Sequence, residues 1–331
     1  QQGWPPGAGI THWEMWNEPD LFIFWDGSVA DYARLLKVGY LAAKQADPNA
    51  QILFGGLANV TNADFGVPNF YNEVLALYDA DALAPTYDYF HDIMATHNYQ
   101  YAWESWLYVW RAERALSDRG LRKPIWLNES GVPVWNDYPG PICEPDSTLR
   151  ATMAEQADFI VQSGLYATYA GADMLFFFQL YDDCGNQPGG TNFDYYTPDI
   201  CSDDVIEPGG DAYGLFRNPD DPIYCYTDHP LADTARPGFD AYRMLAMHFH
   251  GVEPLWRARP GTAPGCSWPL GSQEWLAFYR PESGERLLGL WALCAQEETA
   301  VVPTTSADGA ATLVTPDGVT QTVSATKSVF T

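Results

Sequence analysis

Two short carboxylate motifs stand out in this chain. Trp16-Asn17-Glu18-Pro19 closes the run that begins at Ile10, and Ile125-Trp126-Leu127-Asn128 leads into Glu129-Ser130-Gly131. Each glutamate stands where a short apolar run gives way to loop residues. Two carboxyl groups at two strand ends are the minimum set for cutting a glycosidic bond. The departing oxygen must be protonated as it leaves, which calls for a carboxylic acid at that position. The opposite face of the sugar needs a carboxylate to trap the cationic anomeric carbon. In a retaining enzyme the two groups stand about 5–5.5 Å apart, and in an inverting one roughly 6.5–9.5 Å.

Other reactive side chains read less sharply. His97 and Tyr99 close a third apolar run. His12 and Glu14 precede Glu18 and read as packed or hydrogen-bonded structural groups. Asp182-Asp183 and Asp203-Asp204 lie in an acidic stretch without the twelve-residue spacing of a calcium loop, so they read as solvated. No glycine-rich phosphate loop, Gly-x-Ser-x-Gly elbow or His-Glu-x-x-His helix is present in the sequence.

These residues need a scaffold that brings distant strand ends together. The order of elements is strand then helix, repeated. Strands are expected at Ile10–Trp16, Gln51–Gly56, Tyr89–Thr96, Pro124–Asn128 and Asp173–Gln179. Helices are expected over Ala30–Gln45 (capped by Ser28), Phe70–Tyr78, Trp103–Arg119, from Ser147 to about Ala170, and over Phe239–His250. Tyr32, Leu35, Leu36 and Gly39 form the apolar face of the first helix, and Phe176-Phe177-Phe178 read as buried on both faces. Such alternation predicts an α/β architecture with a parallel sheet. After about Gly251 short alternating runs separated by turns predict antiparallel strands, a β-sandwich-like appendage.

Composition narrows the function. The chain has 331 residues, 47% of them apolar, with 13 Trp and 20 Tyr. Surplus aromatic rings suit the flat C–H faces of sugars, though most belong to a core. Lys and Arg total 17 against 43 Asp and Glu, a net charge of −26. That balance argues against nucleic acid and anionic membranes, and it makes a neutral glycan an easier substrate than a polyanionic one. No run is apolar and long enough to span a bilayer. The six cysteines lack metal-site spacing. They point either to disulfides in an oxidising, extracellular or cell-surface setting or to buried thiols. Pairing by neighbourhood gives Cys143–Cys184, Cys201–Cys225 and Cys266–Cys294. The chain starts at Gln1, so a signal peptide is taken as removed or outside this segment.

Trp-Asn-Glu-Pro after one strand, with a strand-end glutamate three units later, resembles the clan A retaining glycoside hydrolases. Within them the chain most resembles the β-xylosidase and α-L-iduronidase group. The resemblance implies a (β/α)8 TIM barrel in which this chain carries strands 4–8, followed by a β-sandwich. It implies residues 1–250 as barrel and 251–331 as accessory domain. It implies Glu18 as acid/base, Glu129 as nucleophile and Asn17 as the partner of the sugar 2-hydroxyl. His97 and Tyr99 match the group's His-x-Tyr, where the tyrosine holds the nucleophile and the histidine lines the subsite. Trp126 and Tyr181 complete the expected substrate contacts, Tyr181 standing near where relatives carry a tryptophan. No cofactor or metal is implied, and the implied partner is a carbohydrate substrate. The rival expectations are a non-catalytic glycan-binding or surface-structural protein on a degenerate glycosidase barrel and an inverting hydrolase from another fold class.

Overall fold

The computed structural model describes residues 9–59, 66–99, 101–134, 137, 151–182, 213–219, 231–261, 263, 266, 271–294, 297–305 and 309–331. The chain divides into two compact units, Gln1–Ser130 with Ala170–Phe178, and Gly131–Tyr169 with Gln179–Thr331.

The first unit is built on parallel strands. These are β1 (His12–Asn17), β2 (Gln51–Gly56), β3 (Met94–Asn98), β4 (Ile125–Ser130) and β5 (Met174–Leu175). β1 pairs with β2, and β3, β4 and β5 pair in that order, all parallel. Parallel bridges Leu53–Ile93 and Leu57–Thr96 join β2 to β3. The five strands therefore lie side by side in chain order. Helices α1 (Val29–Ala46), α2 (Phe70–Asp79) and α3 (Glu104–Ser117) make the crossovers that parallel pairing demands.

Local chemistry explains the elements. Ser28 and Asp31 form a reciprocal capping box at the start of α1. The buried face of α1 is Tyr32, Ala33, Leu36 and Tyr40, whereas Leu35 and Gly39 of the expected face are half-buried. β2 buries Ile52, Leu53 and Phe54, as a strand covered on both faces should. Phe54 meets Tyr32, Phe70, Tyr71 and His91 edge-on, which packs α1 and α2 onto the sheet.

Two expectations in this unit are corrected. β3 begins at Met94 rather than Tyr89, because Asp88, Tyr89 and Phe90 all have positive φ (50°, 54° and 56°) and form a 3-10 turn that no strand ladder can include. β5 is short, although Phe176 and Phe178 still donate backbone bonds to Leu127 and Ser130. The Phe176-Phe177-Phe178 run is not buried on both faces, since Phe176 is 41% exposed. Among the described residues no strand pairs with the far edge of β5.

The second unit joins helices to an antiparallel tail. α4 (Met153–Ala170, all but its last residue in this unit) starts at a Thr152–Glu155 capping pair, and α5 (Pro237–Phe249) has proline in its first turn. Ser147, the expected cap of α4, lies outside the described residues. β6 (Glu253–Ala258), β7 (Gln273–Arg280) and β8 (Glu285–Ala292) form an antiparallel sheet. β9 (Val302–Pro303) pairs with β12 (Val329–Phe330), and β10 (Ala310–Val314) with β11 (Thr320–Ser324), also antiparallel. β6 escaped the sequence reading because Pro254 interrupts it and its first four residues are exposed. β7 supplies the core with Trp275, Leu276, Ala277 and Phe278. The buried Glu274 accepts from Arg257, Arg259 and Tyr166, so its charge is paired rather than stranded. Buried Arg236 binds Asp182 through two nitrogens and also bonds Asp137 and the carbonyl of Gly214. Cys266 and Cys294 form the expected disulfide. The other four cysteines and most of the Asp182–Thr234 loop lie outside the described residues. Among those described, no helix is long and apolar enough to cross a membrane.

Candidate active site

The first unit brings the carboxylate motifs together at the C-terminal ends of its strands. Glu18 follows β1, His97 is the next-to-last residue of β3 and Glu129 is the next-to-last residue of β4. His97 Nδ1 lies 2.8 Å from Glu18 Oε1 and 3.6 Å from Glu129 Oε2. Tyr99 donates its hydroxyl to Glu129 Oε2 at 2.5 Å. One oxygen of each carboxylate lies within 4.8 Å of the other. Glu18 and His97 are buried, and Glu129 keeps 30% of its side chain exposed.

The backbone bends to achieve this. Trp16 and Glu18 both have positive φ, 79° and 43°. Bulky side chains rarely adopt this region, and such outliers persist where the surroundings over-determine them. Trp16 is held by its indole N–H on the carbonyl of Phe24 and by an edge contact with Trp25. β4 carries a second irregularity. Thr96 pairs with Leu127 and His97 with Glu129, so Asn128 is an extra, bulged residue. Bulges of this kind re-aim the next side chain.

Glycine makes room at the centre. A Cβ on Gly56 would come within 1.9 Å of His97 Nε2. The imidazole therefore lies directly against the β2 backbone, and its buried Nε2 has no hydrogen-bond partner. Nδ1 carries the proton, because it faces carboxylate oxygens. Burial alone would lower the His97 pKa, but the bond to Glu18 and the charges of Glu129, Glu18 and Glu14 outweigh it and raise it. A metal ion on Glu18, His97 and Glu129 would need the Nδ1 lone pair, where the donor to Glu18 stands, so the trio fits hydrogen bonding better than coordination.

The remaining candidates are placed as follows. Asn17 pairs with Gly56 at the end of β1 and its side chain is exposed. Trp126 stacks on His12 and meets Phe176, three residues before Glu129 on β4. Tyr181 belongs to the second unit, where it bonds Asp233 and contacts Phe216.

Two residues gain a sharper place than the sequence assigned. Glu14 accepts from the Gly56 N–H at 2.5 Å and from Asn128 Nδ2 at 2.9 Å. One side of it stays open to solvent, yet the protein crowding the carboxyl raises its pKa against the lowering effect of these bonds. Asp20 was not singled out at all. It is buried, accepts from the Ala58 and Asn59 N–H groups, and burial raises its carboxyl to about 6. The signal for Asp20 was its place two residues after Glu18 in a loop that has to be held.

No protein-family model matches the chain, and no curated protein matches it. Several solved structures resemble it. An α-L-arabinofuranosidase from Thermotoga maritima aligns over 92% of this chain and 60% of its own, at 12% identity and a TM-score of 0.48. A glucosidase from Croceicoccus marinus aligns over 81% and 48%, at 13% identity and 0.44. An endo-1,4-β-mannanase from Rhizomucor miehei aligns over 51% and 44%, at 18% identity and 0.34. The chain thus spans less than two thirds of the length of these proteins.

Proposed function

We propose that the protein is a retaining glycoside hydrolase acting on a neutral oligo- or polysaccharide outside the cell or at its surface. Glu129 attacks the anomeric carbon while Glu18 protonates the leaving oxygen. Glu18 then takes a proton from the water that releases the sugar, and Glu129 is regenerated. Tyr99 orients the nucleophile, and His97 holds the acid/base through its Nδ1–H. Asn17 and Trp126 are the expected sugar contacts of the first unit. The parallel strands in chain order belong, in this reading, to a (β/α)8 barrel within residues 1–250, with residues 251–331 as an accessory domain.

The observation that carries the reading is the meeting of Glu18 and Glu129. They are far apart in sequence, yet one oxygen of each lies within 4.8 Å of the other. That approach suits direct attack by a carboxylate better than the wider gap that an inverting enzyme keeps for water. Net charge supports a neutral substrate, since a field of −26 repels a polyanion.

Incubation with 2-deoxy-2-fluoro aryl glycosides tests the mechanism. The expected result is a stable covalent adduct on Glu129, found by peptide mass spectrometry and absent in Glu129→Gln. Binding of these sugars without any adduct would instead identify a non-catalytic glycan-binding protein.

A further inference from the structure

We propose that Glu14 is a positioning residue that braces both catalytic strands, fixing the gap between Glu18 and Glu129; this rests on the glycosidase reading above. Each of those strands is irregular just before its glutamate. Trp16, two residues before Glu18, has φ 79°. Asn128, one residue before Glu129, is the bulged residue of β4. An irregularity leaves polar groups without ladder partners and leaves the next side chain poorly aimed unless something holds it.

Glu14 reaches both places with one carboxylate. Oε1 takes the Gly56 N–H, and Oε2 takes the Asn128 side-chain amide. Gly56 is the hub of the acid/base side. Its carbonyl accepts the Glu18 N–H at 3.0 Å, and its Cα carries the His97 ring. Holding the Gly56 peptide therefore holds the Glu18 backbone and the imidazole that contacts Glu18. Holding Asn128 fixes the residue joined to Glu129. A carboxylate suits this task because it offers acceptors on two oxygens and bonds amides more strongly than a neutral group does. The buried Oδ1 of Asn128 has no partner. The Asn128 amide thus has an acceptor free to take a donor from residue 14 if the amide turns over.

That spare acceptor makes the test selective. In Glu14→Gln the side-chain oxygen can take the Gly56 N–H, and its NH2 can donate to Asn128 Oδ1. The brace survives while the charge is lost. Glu14→Ala removes both arms, and Asn128→Ala removes only the arm to β4. Turnover of aryl glycosides and amide hydrogen exchange at Gly56 are measured for each. In Glu14→Ala, kcat is expected to fall roughly 100-fold, the size of effect that a misplacement of about 1 Å produces. KM should stay within about three-fold, and Gly56 exchange should accelerate. Glu14→Gln should keep Gly56 protected and remain at least about ten-fold more active than Glu14→Ala. Asn128→Ala should lower kcat without exposing Gly56, and it decides the matter alone if Glu14→Ala does not fold. Equal losses in Glu14→Gln and Glu14→Ala would overturn the brace in favour of a role for the charge. A kcat within about three-fold of wild type in Glu14→Ala would overturn it outright, as would the same result in Asn128→Ala if that variant has to decide alone. A wild type inert toward glycosides, with Gly56 exchange still responding to Glu14→Ala, would defeat the glycosidase reading and leave the brace standing.

Discussion

His97 places its Nδ1 2.8 Å from Glu18 Oε1 while its opposite nitrogen lies against the Cα of Gly56. One face of the imidazole is therefore committed to carboxylates and the other to a backbone that only glycine can supply. The ring has no room to turn over, so its donor stays aimed at Glu18.

His97 should make stability depend on pH in a defined direction. Its folded pKa is raised above the ordinary histidine value of 6.5, so the charged ring is favoured in the folded state. The resulting stabilisation is fully present below pH 6.5 and is lost as pH rises through the folded value. The stability gap between wild type and His97→Gln is expected to be larger at pH 5.5 than at pH 9, by urea unfolding at each pH. A gap that widens with pH would contradict this electrostatic account.

Gly56→Ala should disturb the same ring from its other side. Its Cβ would lie 1.9 Å from Nε2 and 2.6 Å from Cδ2 of His97, too close for any rotamer adjustment at residue 56 itself. Overpacking of this kind costs about 1–3 kcal/mol, and the displaced imidazole releases Glu18. Denaturant unfolding should show the loss of stability, and kcat should fall with it. Full activity in Gly56→Ala would mean that His97 does not need its present position.

Asp20 gives a pH signature in the same direction as His97, but at lower pH. Burial raises its carboxyl from 3.8 to about 6, against the lowering effect of its bonds to Ala58 and Asn59. The folded state thus holds this proton more tightly than the unfolded chain does. Its contribution favours folding below about pH 4 and turns against it as pH rises to about 6, by up to about 3 kcal/mol. Wild type is expected to lose stability relative to Asp20→Asn across that interval, as thermal or urea unfolding from pH 3.5 to 7 will measure. A constant difference over the interval would show that Asp20 does not titrate there.

Glu18→Ala should reveal the acid role through its leaving-group dependence. A good leaving group such as dinitrophenol departs without protonation, whereas an alkyl alcohol cannot. The loss in kcat/KM is expected to be roughly 10²–10⁴-fold for poor leaving groups and much smaller for activated ones. Equal losses across a series of aryl and alkyl glycosides would remove Glu18 from that role.

Much of this architecture is legible in the residues themselves. Hydrophobic runs of strand length, Ser28 with Asp31, and glycine or Asp-Pro stops locate α1, β2, α2 and α3 to within a few residues, because caps and periodicity act locally. The strand-end positions of Glu18 and Glu129 are equally local. β3 was misjudged at its start because the left-handed turn at Asp88–Phe90 leaves no signature in residue type. β5 and its phenylalanines were misjudged because burial depends on which neighbours cover a strand, and composition does not state that.

The sequence by itself determined the reactive groups, the strand–helix order and the strong acidity, since each follows from residue type and local spacing. Only the tertiary structure decided that Glu18, His97 and Glu129 share one neighbourhood, that Gly56 is the surface His97 rests on, and that Glu14 spans β2 and β4. Those relations join residues 32 to 114 positions apart through contacts of about 3–4 Å. Such contacts are set by how parallel strands are laid side by side, and no local preference along the chain encodes that registration.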